Sequence, residues 1–144
     1  MLKKTTAPKN FEKLLKARLR NAPISRFLGQ RLIVCKNGRA EVRLPYRAEF
    51  QQGDGVVHGG IVATLADTAG FFAAASASPE QMVTTVEFKI NLLSGAREED
   101  LRGIGHVIRN GRQLIVCEMI VYGRRRRKIA LASGTYARLD QSWT

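Results

Sequence analysis

Between Gly59 and Ala77 the chain has a single charged residue, Asp67, set among alanine, glycine, threonine and larger apolar side chains. A polar loop, Ala48 to Val57, leads into this stretch through His58, and Ser78-Pro79-Glu80 closes it. Its length and near-continuous apolarity predict a buried helix over Gly59–Ala77. A carboxylate in the middle of such a helix is costly unless it is paired, hydrogen-bonded or put to use. The same aspartate argues against a membrane span, where a mid-span charge is expensive. The N-terminus is basic with no apolar run behind it, so no secretory signal is expected and the expected location is cytoplasmic.

The flanks say what encloses the helix. Phe11, Leu14, Leu15 and Leu19 recur at helical spacing between lysines and arginines, predicting an amphipathic helix that ends before Pro23. Two short apolar runs, Arg31–Cys35 and Arg39–Leu44, bracket Lys36-Asn37-Gly38, the strongest local hairpin signal. Met82 to Leu93 alternates, with Val86, Phe88, Ile90 and Leu92 on one face and Thr85, Glu87, Lys89 and Asn91 on the other. Leu101–Arg109, Gln113–Tyr122 and Ile129–Leu139 follow as strands, which with the first make four strands in meander.

The expected organisation is a flexible basic N-terminus over residues 1–9, one domain over 10–139, and a frayed C-terminal tail over 140–144. The class is α+β with an antiparallel sheet. A helix this apolar must be enclosed, and only the sheet can enclose it. An antiparallel sheet wrapped around a long central helix is the hotdog fold. Such an open sheet leaves edges, which dimerisation by edge pairing would satisfy.

Lysine and arginine number 24 against 12 acidic residues, a net charge of +12. That field attracts phosphorylated ligands or acidic surfaces, or else serves as a solubilising coat. No nucleic-acid-binding motif accompanies it and aromatics do not interleave with the cations, which argues against a nucleic-acid partner. Cys35 and Cys117 lie far apart without CxxC spacing and read as reduced core residues. No cluster has metal-ligand spacing, no GxSxG surrounds a serine, and no GK[ST] follows Gly53-Asp54-Gly55.

The chemistry left standing sits on the central helix. Gly59 and Gly60 open it, where backbone N–H groups lack intrahelical partners and the helix dipole is positive, a place suited to a developing oxyanion. Asp67 can act as general base or as nucleophile. Gly60 and Asp67 share a face but stand about 10 Å apart at about 1.5 Å rise per residue. One carbonyl cannot reach both, so if both act they come from different subunits of a symmetric dimer. Taken alone, His58 reads as a helix-start residue bonding locally. Thr64 and Thr68 read as helix-packing residues. Phe71, Phe72, Met82 and Leu92 could line an acyl pocket, or simply pack the core.

The pattern Gln52-x-x-Gly55-x-x-His58-Gly59-Gly60-x-x-x-x-Leu65-x-Asp67 resembles the signature of the PaaI-type hotdog-fold acyl-CoA thioesterases. The likeness extends through Val83-Thr84-Thr85-Val86-Glu87-Phe88 and the closing strands, most of residues 30–138. The resemblance implies hydrolysis of acyl-CoA thioesters by a homodimer or a dimer of dimers, with CoA as part of the substrate and no separate cofactor or metal. Asp67 would activate water or attack the thioester carbonyl, and the Gly59 N–H of the facing subunit would polarise that carbonyl. His58 would support the turn or the site, Thr85 would orient water or the carboxylate, and Gly60 and Thr68 would contact substrate. Many relatives carry Asn where this chain has Gln52, which keeps the amide and lengthens its reach, and the neighbouring Gln51 could hold the same place instead. The basic excess would meet the CoA phosphates. A non-catalytic acyl-CoA-binding or regulatory hotdog protein is the alternative. A dehydratase or hydratase is disfavoured, because the His-to-carboxylate spacing differs.

Overall fold

The computed structural model describes residues 7–144. Two helices open it, α1 over Phe11–Asn21 and α2 over Pro23–Leu28. Pro23 ends the first and starts the second, because a proline at the first helical position gives up only an N–H that had no partner there. The short α2 is absent from the sequence reading. Strands β1 (Arg31–Lys36) and β2 (Arg39–Leu44) form the expected hairpin, with Asn37 at φ 51° and Gly38 at φ 76° in the left-handed turn that Asn-Gly favours. The central helix, α3, spans Gly59–Ser76, and β3 (Val83–Leu92), β4 (Leu101–Asn110), β5 (Leu114–Tyr122) and β6 (Lys128–Arg138) follow.

All six strands pair antiparallel in the order β1-β2-β4-β5-β6-β3. The expected meander therefore holds only for β4-β5-β6. Strand β3 crosses to the far edge and pairs with β6 rather than β4. The crossing lays the sheet around α3, which buries Val62, Leu65, Ala66, Ala69, Phe72 and Ala73 to Ala75 against it. By length and composition alone α3 could cross a membrane, yet half of it is buried inside the domain. Gly105 of β4 lets the sheet close in, since a Cβ there would overlap the Ala69 carbonyl. This is the hotdog architecture expected from the sequence.

Two expectations are corrected. The alternation predicted for β3 breaks at a bulge between Thr85 and Glu87, which leaves Val86 as the extra residue, 57% exposed. Past the bulge Phe88 and Ile90 are half-buried, and before it Val83 and Thr85 point inward, so Thr85 lies on the apolar side rather than the polar one. The C-terminal tail is not frayed either. The Met82 N–H donates to the Gln141 carbonyl at 2.8 Å, and the buried Trp143 indole donates to the Ser78 carbonyl at 2.7 Å while its ring packs edge-on to Phe11. An indole of that size contributes more by burial than the chain end gains by fraying. The flexible N-terminus expected over residues 1–9 falls largely on residues 1–6, outside the described residues.

Both cysteines lie in the core with their thiols free, and burial pushes each to about 12. No group of three or more His, Cys, Asp and Glu that could hold a metal ion occurs among the described residues.

Candidate active site

Asp67 sits midway along α3, partly buried, facing β3 and β6. Its Oδ1 accepts from Thr85 Oγ1 at 3.0 Å and from the Tyr136 hydroxyl at 3.2 Å. Oδ2 has no partner among the described residues. Thr85 and Tyr136 are register partners across β3 and β6, so one ladder position presents both donors. Gly70, one turn beyond Asp67, makes the room: a Cβ there would overlap the Tyr136 hydroxyl. Burial raises the Asp67 pKa above its ordinary value, and the bonds from Thr85 and Tyr136 pull it part of the way back. Burial first, then the neighbouring aspartate charge, drives the Tyr136 hydroxyl upward, so it stays protonated and can only donate here. The carboxylate is thus fixed at one oxygen and free at the other, as a proton acceptor or nucleophile requires.

The sequence reading missed Tyr136. Its signal was weak: a tyrosine that follows Ala132-Ser133-Gly134-Thr135 on the closing strand needs a partner for its hydroxyl once it is buried.

The N-terminal end of α3 forms a second locus. His58 caps the helix, its Nδ1 accepting from the Gly60 N–H at 2.8 Å and its own N–H donating to the Phe50 carbonyl at 2.8 Å. The His58 carbonyl accepts from Ile61 and Val62. The Gly59 N–H is left without an acceptor among the described residues, at the positive end of the dipole. Beside it lies a cavity of about 330 Å³ with an apolar lining that includes Val57, Val62, Leu92 and Ile129, and with Gln52 at its border. A Cβ on Gly59 would come within 2.7 Å of Leu92 Cδ1, so glycine keeps the backbone open to this space.

Gln52 turns its side chain back on its own loop, Oε1 accepting from the Asp54 N–H at 2.9 Å. Gln51 instead bonds the Tyr46 hydroxyl and does not line the cavity. Thr68 points the other way, donating to the Thr64 carbonyl at 2.8 Å and reaching Gln30 Oε1 at 3.4 Å, while Gln30 Nε2 is buried without a partner. The fold therefore gathers Asp67, Thr85 and Tyr136 at one place, and Gly59, Gly60, His58 and Gln52 at another. Asp67 does not line the cavity at Gly59.

A protein-family model described as the thioesterase superfamily matches residues 54–130, which contain the α3 start, Asp67 and Thr85. The chain belongs to the thioesterase superfamily. A thioesterase family protein from Silicibacter pomeroyi has the same fold at a TM-score of 0.83 and 33% identity, covering 89% of this chain and 97% of that one. The Escherichia coli PaaI protein matches at a TM-score of 0.83 and 22% identity over 93% and 96% of the two chains, a likeness of fold. A relative from Saccharolobus solfataricus that bears the name "Putative esterase" is 36% identical over 96 residues, 67% of this chain and 69% of its own. Membership in the thioesterase superfamily gives the reaction class, hydrolysis of a thioester.

Proposed function

We propose that the protein hydrolyses acyl-CoA thioesters at sites shared between two subunits. The observation that carries this is a half-buried Asp67 held at one oxygen by Thr85 and Tyr136 and unbonded at the other. Asp67 Oδ2 takes a proton from a water whose oxygen attacks the thioester carbonyl carbon, or attacks that carbon itself to give a mixed anhydride that water then hydrolyses; in either route the C–S bond breaks and CoA leaves as the thiolate, which takes up the proton. The Gly59 N–H of the facing subunit stabilises the oxyanion that forms on the former carbonyl oxygen. His58 holds the helix start so that this N–H is presented, and Thr85 positions the carboxylate. Gln52 borders the acyl cavity and Gly60 lies at the helix start beside it, whereas the Thr68 hydroxyl is turned away, toward Thr64 and Gln30.

The edge strand β3 supports a site shared between two subunits. Asp67 packs against Thr85 near one end of β3, and the Gly59 cavity is lined by Leu92 at the other end. Antiparallel pairing of β3 with its two-fold mate, centred near the middle of the strand, brings Thr85 of one copy beside Leu92 of the other. Each Asp67 then faces the partner's Gly59, and each dimer holds two such sites. Two dimers would associate further as a tetramer.

The test is cleavage of short-chain, long-chain and aryl-CoA thioesters by the purified protein beside Asp67→Asn. A loss on the order of 10²-fold in kcat is expected for the loss of a general base. Equal activity in the two proteins would overturn the assignment.

A further inference from the structure

The sheet surface facing away from α3 carries a line of cations. Arg31 of β1 stands in register with Arg43 of β2, Arg43 with Arg102 of β4, Arg102 with Tyr122 of β5, and Tyr122 with Lys128 of β6. Neighbours along such a row have Cβ atoms roughly 5 Å apart, and like charges placed there repel. The carboxylate that answers them is Glu41, two residues along β2, at 3.6 Å from Arg43, 3.8 Å from Arg102 and 3.7 Å from Arg39. One anion is shared by three guanidinium groups, none of them within hydrogen-bonding reach.

A fourth arginine arrives from the β5–β6 connection. Arg125 and Arg126 adopt φ of 54° and 56°, a left-handed conformation uncommon for arginine, and the Arg126 guanidinium lies 5.8 Å from the centre of the Tyr122 ring. Arg102 lies 5.6 Å from the same ring. A cavity of about 250 Å³ has a lining that includes Arg31, Arg43, Arg102, Tyr122 and Asp100, and Arg126 stands beside it on the Tyr122 ring. Asp100 is engaged elsewhere in part, its Oδ1 accepting from the Tyr46 N–H at 2.7 Å.

We infer that this cavity on the outer sheet face is a second binding site, for the di- or triphosphate group of a nucleotide-like ligand. Arg31, Arg43 and Arg102 donate to its oxygens, and Arg126 covers it from the loop. Phosphate suits the donors, because guanidinium forks meet its oxygens two at a time and compensate the uncancelled charge. The cavity has room for a compact anion. Tyr122 already carries two guanidinium groups, so the phosphates, not a base, are what the site recognises. An extended nucleic acid strand would want stacking platforms, and the adjacent row of Glu41, Ile104, Ile120 and Leu131 offers no aromatic ring. The site lies across the sheet from Asp67 and does not depend on the proposed reaction.

Titration calorimetry of the full chain with inorganic pyrophosphate at low salt tests this, alongside ADP, CoA and a single-stranded oligonucleotide. Pyrophosphate should bind the wild type, at least tenfold more weakly the Arg43→Gln/Arg102→Gln variant, and measurably more weakly Arg31→Gln. Tighter binding of ADP than of CoA would make the ligand a free nucleotide, and the reverse would make it the CoA moiety; either keeps the site only where the binding weakens in the arginine variants, since CoA bound at the Asp67 site would not. Arg31 is exposed on an edge strand, so its variant decides the matter should the double variant fail to fold. No binding of pyrophosphate, unchanged binding in the variants that fold, or binding of the oligonucleotide alone would overturn the inference.

Discussion

Thr85 Oγ1 donates to Asp67 Oδ1 at 3.0 Å only because β3 carries an extra residue beside it. Without the bulge at Val86, a strict two-residue period that turns Phe88 and Ile90 toward the core would turn Thr85 away from α3. A local irregularity of the strand therefore completes the carboxylate site. Thr85→Ala should fold normally and lose roughly tenfold in kcat/KM. Its acid limb should move to higher pH, because a bond that favours the charged carboxylate is gone. Thr85→Ser should restore both. A pH–rate profile that does not move would reduce Thr85 to packing.

Burial works against the charged form of Asp67 and raises its pKa, more than the bonds from Thr85 and Tyr136 lower it. Its pKa is higher in the folded chain than in the unfolded one, so its contribution to stability is fullest below the unfolded value. That contribution is lost as pH rises through the folded value. Asp67→Asn, which keeps an acceptor for Thr85 and Tyr136 but carries no charge, should melt a few degrees above the wild type at neutral pH while losing activity. The difference in Tm should shrink in acid, and differential scanning calorimetry across pH would read it. A lower Tm at neutral pH would contradict the sign.

The Gly59 position separates access from folding. Its added Cβ meets the far end of Leu92, a side chain 56% exposed and free to turn, so Gly59→Ala should change stability little. Turnover should fall by an order of magnitude or more as the methyl group covers the N–H. Gly59→Ala/Leu92→Ala should recover packing without recovering turnover if the N–H is the active element. Recovery of full rate in the double variant would instead make Leu92 the whole obstacle.

Sharing of the site between subunits can be read by complementation. Gly59→Ala and Asp67→Asn homodimers should each be nearly inactive. A mixed dimer unites the intact Gly59 of one chain with the intact Asp67 of the other at one of its two sites. Refolding the two variants together should restore up to about a quarter of wild-type activity, counting half of the dimers as mixed and one of two sites as working. No recovery, with mixed dimers demonstrated by mass spectrometry, would place the whole reaction within one chain.

Trp143 ties the chain end to the body of the domain. Its ring is buried against Phe11, Arg18 lies 5.1 Å from its centre, and its N–H is bonded to Ser78. Trp143→Ala should cost roughly 3 kcal/mol, the usual cost of truncating a buried aromatic. Denaturant unfolding measures this directly, and a loss under about 0.5 kcal/mol would mean that the tail is dispensable.

The sequence by itself determined the central helix, the Asn-Gly hairpin, the antiparallel sheet and the separation of about 10 Å between Gly60 and Asp67 along the helix. Each rests on local periodicity, on turn chemistry or on the rise of a helix, which neighbouring residues dictate. It also marked Asp67, because an isolated charge in an apolar run is visible without coordinates. Only the tertiary structure decided that β3 lies at the far edge, that a bulge turns Thr85 inward, that Tyr136 completes the carboxylate's partners, and that Trp143 is core rather than fringe. These depend on which strand lies beside which. Sheet order and register are settled by the summed packing of segments far apart in the chain, and no window of residues holds that information. The arginine row makes the same point: Arg31, Arg43 and Arg102 look scattered along the chain, and only the pairing of three strands sets them side by side.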